Sequence, residues 1–239
     1  MSKHFPLDIH THSLASGHAY GTIREMAQAA SEKGLEALGI TEHSPGIPGT
    51  CHPIYFSNLK AVPRVLYGVN MRHGSEVNIM NDGTIDLPEK YCRRLDYLIA
   101  GIHGLCYTDE GREKNTDNVI ACMKHPKVHF ISHPDDDHTP LDYKRLVLAA
   151  LENEVALEVN NSSLRKPQVR LNCVENYKTM LKYCMEYRCP IVVDSDAHDP
   201  SAVADHQLAY ALLEEVGFDM DLVVNTSLEK FDTFIHFGA

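Results

Sequence analysis

Apolar and polar positions along this chain follow two periods in turn. Short runs rich in branched and aromatic residues fall at 5–9, 37–40, 69–76, 97–102, 128–132, 156–159 and 191–193, each with the length of a buried strand. Between them, apolar residues recur at helical spacing. The segment 141–153 puts Leu146, Ala149, Ala150 and Leu151 on one side and charge on the other, and 172–187 and 204–216 follow the same rule. Thr22-Ile23-Arg24-Glu25 reads as a capping box opening a helix that runs to Lys33, where Gly34 stops it. Strand–helix units in series predict parallel strands with helices outside. Seven units fit a barrel or an open sheet. The Gly-rich phosphate loops of nucleotide-binding open sheets are absent, so a barrel is preferred. A weaker eighth run, Leu222-Val223-Val224, leads into Asn225-Thr226-Ser227 and a last helix.

Composition narrows this picture. The chain has 239 residues, 44% of them hydrophobic, with no linker, low-complexity stretch or charge block, so one domain over 1–239 is expected. A formal net charge of -11 argues against gripping a nucleic-acid backbone unaided. It still allows anionic substrates, because bound divalent metals reverse the charge locally. Seven cysteines without a CxxC pair read as reduced thiols of a cytoplasmic protein. No secretory leader is visible, and no apolar run approaches the ~18 residues of a membrane span.

The candidate chemistry lies just past the strands. The first is followed by His10 and His12, which share one face if extended. The second gives Thr41-Glu42-His43, the third ends in Glu76, the fourth gives His103 and the fifth His133. The sixth gives Glu158-Val159-Asn160-Asn161, and the seventh Asp196-Ala197-His198. Barrel active sites are built at this carboxyl end of the strands. A single histidine there would be unremarkable, and His4, His52, His73, His125, His129, His138, His206 and His236 are read as ordinary. Repetition at strand after strand points to metal. His10, His12, His18, His43, Glu76, His103, His133, Asp196 and His198 exceed the needs of one ion and suit three, with a carboxylate shared. Imidazole with a few carboxylates favours zinc, with iron or manganese as alternatives, over magnesium or calcium.

His10-Thr11-His12, Thr41-Glu42-His43, Ile131-Ser132-His133-Pro134 and Asp196-Ala197-His198 resemble the four motifs of the PHP (polymerase and histidinol phosphatase) superfamily. Ser16–Tyr20 (SGHAY), Ser75–Ile79 (SEVNI), Leu98–His103 (LIAGIH) and Ala156–Ser163 (ALEVNNSS) match its bacterial phosphatase branch with a trinuclear zinc centre. The resemblance implies a distorted (β/α)7 TIM-like barrel. It also implies a ligand partition: His10, His12, Glu76 and Asp196 on one ion, Glu76 with His103 and His133 on a second, and His18, His43 and His198 on the third. The second motif departs from the usual Thr-Asp-His, since Glu42 stands in the middle, which bears on ligand orientation more than on metal binding.

The expected activity is metal-dependent hydrolysis of a small phosphorylated metabolite, a phosphate monoester, by a metal-activated hydroxide. Asp196 is the candidate proton acceptor beside the metals. Arg165, Lys166 and Arg170 follow the sixth strand and are the candidate substrate clamp, a solvated basic loop being the alternative. The loop 44–57, with Pro45, Pro48 and Pro53, is expected to wall the pocket. Three other readings compete. A PHP-type phosphodiesterase or exonuclease would use the same metals on nucleic-acid ends. An amidohydrolase also begins with His-x-His, but commonly carries a lysine where His103 stands. A non-enzymatic metal-binding protein would hold ions without turnover.

Overall fold

A computed structural model describes residues 4–238. Eight strands form one sheet: β1 (Leu7–Asp8), β2 (Ala37–Ile40), β3 (Val65–Leu66), β4 (Val69–Asn78), β5 (Tyr97–Gly101), β6 (Val128–Ile131), β7 (Ala156–Asn160) and β8 (Ile191–Asp194). Their order is β1-β2-β4-β5-β6-β7-β8, every neighbouring pair parallel. β3 is a short antiparallel addition to β4. The helices are α1 (Ile23–Glu32), α2 (Ile54–Asn58), α3 (Glu89–Cys92), α4 (Arg112–Met123), α5 (Tyr143–Glu152), α6 (Asn161–Leu164), α7 (Cys173–Tyr187), α8 (Gln207–Val216) and α9 (Leu228–Phe234). Among the described residues, no helix is long and apolar enough to cross a membrane.

The seven parallel strands nearly close into a barrel. The last seam, between β8 and β1, has one backbone bridge, Thr11 to Ala197, and is otherwise laced by side chains. Asp194 Oδ1 accepts the Ile9 N–H at 2.7 Å, and Asp8 accepts the Ser195 N–H at 3.1 Å and its hydroxyl at 2.5 Å. The Asn225 amide donates to the Leu7 and Val193 carbonyls at 3.1 and 2.6 Å and accepts the Val193 N–H at 3.2 Å. These contacts satisfy backbone groups that a regular ladder would pair. They also explain why β1 is shorter than the predicted 5–9. The eighth apolar run forms no strand: Val223 makes a single bridge to Ile191 between two turns of 3₁₀-helix.

Inward positions are graded from floor to mouth. Leu7, Tyr97, Phe130, Ala156 and Val192 fill the lower half, and Phe231 of α9 plugs it, stacked 5.8 Å from the Phe130 ring. On β4, alternation turns Arg72, Gly74, Glu76 and Asn78 to one face. Arg72 is tied below to Asp232 of α9 at 2.6 and 2.8 Å, which leaves Glu76 near the mouth. Helices cover the outside through a large apolar layer that includes Leu98, Leu146, Leu157, Tyr177 and Leu181. The capping box at Thr22 forms in both directions and starts α1 as predicted.

Candidate metal centre

All nine proposed ligands meet at the carboxyl end of the barrel. His10 and His12 leave β1, and His10 Nε2 lies 3.1 Å from His12 Nε2, 3.3 Å from Glu76 Oε2 and 3.7 Å from Asp196 Oδ1. His12 Nε2 is 3.4 Å from both carboxylates. Four nitrogen or oxygen ligands around one tetrahedral zinc stand about 3.3–3.4 Å apart. The set therefore has the size of a single ion's coordination shell.

Glu76 faces a second group with its other oxygen. Oε1 is 2.9 Å from His133 Nε2 and 3.3 Å from His103 Nε2, and accepts the Ser132 hydroxyl at 2.8 Å. A third group forms where His18 Nε2 and His198 Nε2 approach to 3.1 Å, with the His43 ring stacked 4.9 Å from His18. His43 Nδ1 turns toward Glu76 Oε2 at 3.0 Å. Gly101, at the end of β5, lies against this cluster. A Cβ there would come within 2.2 Å of Ser132 Oγ and 3.2 Å of Glu76 Oε1, so the centre has no room for a side chain at this position.

The partners of the outer ring nitrogens fix what the inner ones present. His10 Nδ1 meets Glu158 Oε1 at 2.6 Å, His103 Nδ1 meets Asn78 Oδ1 at 2.7 Å, and the Nδ1 atoms of His18 and His198 meet the Ser16 and Asp196 carbonyls, each at 3.1 Å. All these oxygens only accept, so each Nδ1 carries the proton. His12 Nδ1 meets Ser16 Oγ at 2.9 Å, and that hydroxyl already donates to Glu42 Oε2 at 2.6 Å, so His12 too must donate. In the neutral rings, unprotonated Nε2 atoms then face each other in pairs 3.1 Å apart. Two lone pairs at that distance repel unless a cation or proton lies between them. Asp196 Oδ1 and His43 Nδ1 are also buried and make no hydrogen bond. The residues fit bound divalent ions.

Charge leads to the same place. Burial alone would lower the pKa of His10, but Glu158, Glu76 and Asp196 outweigh it and hold the ring well above its usual range. Burial likewise lowers the pKa of His12, yet the carboxylates of Asp196 and Glu76, each 3.4 Å from its Nε2, raise it to about 9. Burial opposes ionisation of Glu76 and Asp196, and the surrounding imidazoles still keep both well below the carboxylate range. Burial and the neighbouring His12 depress His43 to about 3 and His198 to about 4. Without metal, the cluster thus collects protons on His10 and His12 and excludes them from His43 and His198.

Two of the nine stand in the left-handed backbone region, which non-glycine residues rarely adopt: His133 with φ 31° and Asp196 with φ 52°. His133 is held there from both sides. Its N–H donates to Glu158 Oε2 at 2.7 Å and its carbonyl accepts from Arg170 Nη2 at 2.7 Å. The three basic residues after β7 separate in role. Arg165 pairs with Asp205 at 2.7 Å, while Arg170 pairs with Asp135 beneath His133. Lys166 lies on the wall of a cavity that also touches His18, His133, Asp196 and His198, and its Nζ donates to Ser162 at 2.9 Å.

Sequence reasoning did not single out Glu158, Ser16 or Asn78, which orient the imidazoles. For Glu158 a signal was present: it shares a strand face with Asn160, one period below the mouth. Glu42, the departure from the usual motif, is not among the converging atoms. It accepts bonds from the Ser13 N–H at 3.0 Å, the Ser16 hydroxyl at 2.6 Å and the Tyr55 hydroxyl at 3.1 Å.

A parallel α/β barrel whose mouth gathers seven imidazoles and two carboxylates belongs to the class of metal-dependent hydrolase scaffolds. Within that class, a model of the PHP domain matches residues 8–153, and the chain belongs to the PHP domain family. It is 42% identical over 232 residues to a probable phosphatase of Acetivibrio thermocellus, covering 97% of this chain and 95% of that one. Phosphatase is accordingly its enzyme class. Among solved structures it is similar in fold to the histidinol phosphate phosphatase of Lactococcus lactis complexed with zinc, L-histidinol and phosphate. The TM-score is 0.61 at 20% identity, over 89% of this chain and 94% of that one. A chain of archaeal ribonuclease P, solved with mature tRNA, shares the fold at a TM-score of 0.62 and 14% identity, over 97% of this chain and 90% of the other.

Proposed function

We propose that the protein hydrolyses small phosphate monoesters at a centre of three divalent ions, zinc first, with iron or manganese as alternatives. The observation that carries this reading is the convergence of imidazole nitrogens on the two oxygens of Glu76, His10 and His12 at Oε2 and His103 and His133 at Oε1, with a further pair, His18 and His198, 3.1 Å apart. His10, His12, Glu76 and Asp196 would hold one ion, Glu76, His103 and His133 a second, and His18, His43 and His198 the third. When bound, such ions supply charge stabilisation for the phosphoryl oxygens and an activated water.

The chain's own groups do the rest. Asp196 stays ionised beside the proposed ions, which suits it to take a proton from the attacking water. Lys166, on the cavity wall, would meet the phosphate, and Arg170 bonds the His133 carbonyl at the same wall. Arg165, engaged by Asp205, has a lesser claim to substrate. The histidinol phosphate phosphatase likeness makes that ester one substrate to try. The ribonuclease P likeness raises nucleic-acid ends, which the net charge of -11 disfavours.

Purified protein should carry close to three metal equivalents and release phosphate from p-nitrophenyl phosphate. Chelation should abolish turnover, and zinc or manganese restore it. A reproducible single equivalent would remove the three-ion reading. Cleavage of phosphodiesters or amides with monoesters untouched would remove the monoesterase reading.

A further inference from the structure

A cavity of about 550 Å³ opens beside the centre, within the range of small-molecule sites. His18, His43, His103 and His133 form one end of it. Away from them the wall turns apolar, through Ile47, Ile79, Ile102, Leu105, Val119 and Leu141. Ile47, Ile79, Val119 and Leu141 are packed into the core, so the apolar surface open to a ligand is chiefly that of Ile102 and Leu105. Ile47 comes from the proline-bearing loop after β2 that was expected to wall the pocket.

The carboxylates on this wall are already committed. Asp135 accepts from Arg170, and Asp136 Oδ1 accepts from the His138 ring at 2.7 Å and from the His138 and Leu171 N–H groups at 3.0 and 3.1 Å. Beyond the histidine end, the polar side chains left for a ligand are those of His138 and Thr139, against the apolar side chains of the wall. A leaving group rich in hydroxyls would recover fewer partners there than it has in water, which is unfavourable for each buried hydroxyl left unpaired. An apolar one gains by leaving water.

We infer that the substrate is a phosphate monoester with a predominantly apolar leaving group, aliphatic or aromatic. Its body lies on the apolar surface of Ile102 and Leu105 while its phosphate lies at the histidine end. This rests on the phosphatase reading of the same centre and adds what that reading leaves open, the chemistry of the group released.

The test uses the metal-loaded protein and n-alkyl phosphates from methyl to hexyl. Their leaving alcohols differ little in basicity, so a trend in kcat/KM reports the pocket. The value should rise with each methylene, by about tenfold or more across the series, since one methylene in an apolar pocket can be worth about 10-fold. n-Propyl phosphate should exceed glycerol 1-phosphate by a similar factor, although the hydroxyls make glycerol the better leaving group. Calorimetry with alkylphosphonates, which are not hydrolysed, reads the same wall without turnover: hexylphosphonate should bind about tenfold tighter than methylphosphonate. Leu105, 74% exposed on the wall, can be changed with little risk to the fold. Leu105→Ser should lower the hexyl-to-methyl ratio in both experiments.

A flat chain-length profile in turnover and binding, or a preference for the polyol ester, overturns the inference and leaves the phosphatase reading standing. Phosphonate affinity that climbs with chain length while no monoester is hydrolysed overturns both the phosphatase reading and the substrate class built on it.

Discussion

Glu76 stands between two groups of imidazoles and offers one oxygen to each. In the proposed centre its charge would offset the repulsion of cations about 3.5–4 Å apart, a separation usual in two-metal sites. Glu76→Gln keeps the shape and removes that charge. The variant should fold, lose more than one metal equivalent and lose activity by at least about 100-fold, since even an outer partner of a ligand is worth about 10–100-fold. His18→Ala should empty the third site alone. Metal content and turnover of the two variants, measured together, check this; a full complement in Glu76→Gln would make the residue a bystander. A different histidine sets acid stability. His129 is buried with its Nδ1 on the Lys127 carbonyl at 2.8 Å, and burial lowers its pKa from 6.5 to about 4. Between those values the unfolded chain takes up a proton that the folded chain refuses. The contribution is therefore complete above pH 6.5 and is lost as pH falls toward about 4, by roughly 3 kcal/mol at most. His129→Gln should flatten that part of the stability profile in urea titrations of chelated protein.

Among the elements, the turn after β6 depends on the segment before α7. Arg170 reaches across to the His133 carbonyl and to the buried carboxylate of Asp135, whose pKa burial raises and Arg170 pulls back. Breaking a fully enclosed pair costs about 3–5 kcal/mol. With the Arg170 side chain 20% exposed, Arg170→Met should cost less, about 2 kcal/mol. It should also release His133 from its left-handed conformation and lower kcat about 10–100-fold. Retained stability together with unchanged kcat would show that the pair does not position His133. The elements themselves were unevenly legible. Strands carry runs of branched residues, and helices such as α5 carry a clean apolar face, so both could be read from spacing. α4 could not. Its buried face presents Asn115, Thr116 and Asn118, made tolerable only by tertiary partners: Asn115 bonds Asp109 at 2.7 Å and Asn118 bonds Tyr107 at 2.8 Å. The nine converging side chains were legible because strand ends in a barrel share one rim. Which nitrogen each imidazole turns inward was not, since that is set by residues as distant as Glu158.

Over the whole molecule, the seam between β8 and β1 has the longest reach. Asp194 and Ile9, joined across it, are 185 residues apart, and Ser195 and Asp8 are 187 apart. Residues 1–190 lack β8 and α9, and so leave β1 with an open edge and the barrel floor without its Phe231 plug. That fragment should fail to give the cooperative unfolding transition of the full chain, by circular dichroism on heating. On the ribosome, β1 emerges well before its second neighbour and waits for it while about 185 residues are added. His10 and His12 lie on one side of the seam, and Asp196 and His198 on the other, so the proposed ions have no complete cage on a nascent chain. Uptake of the proposed ions would thereby wait until β8 and the turn after it have been made, and a loaded centre would certify a closed barrel.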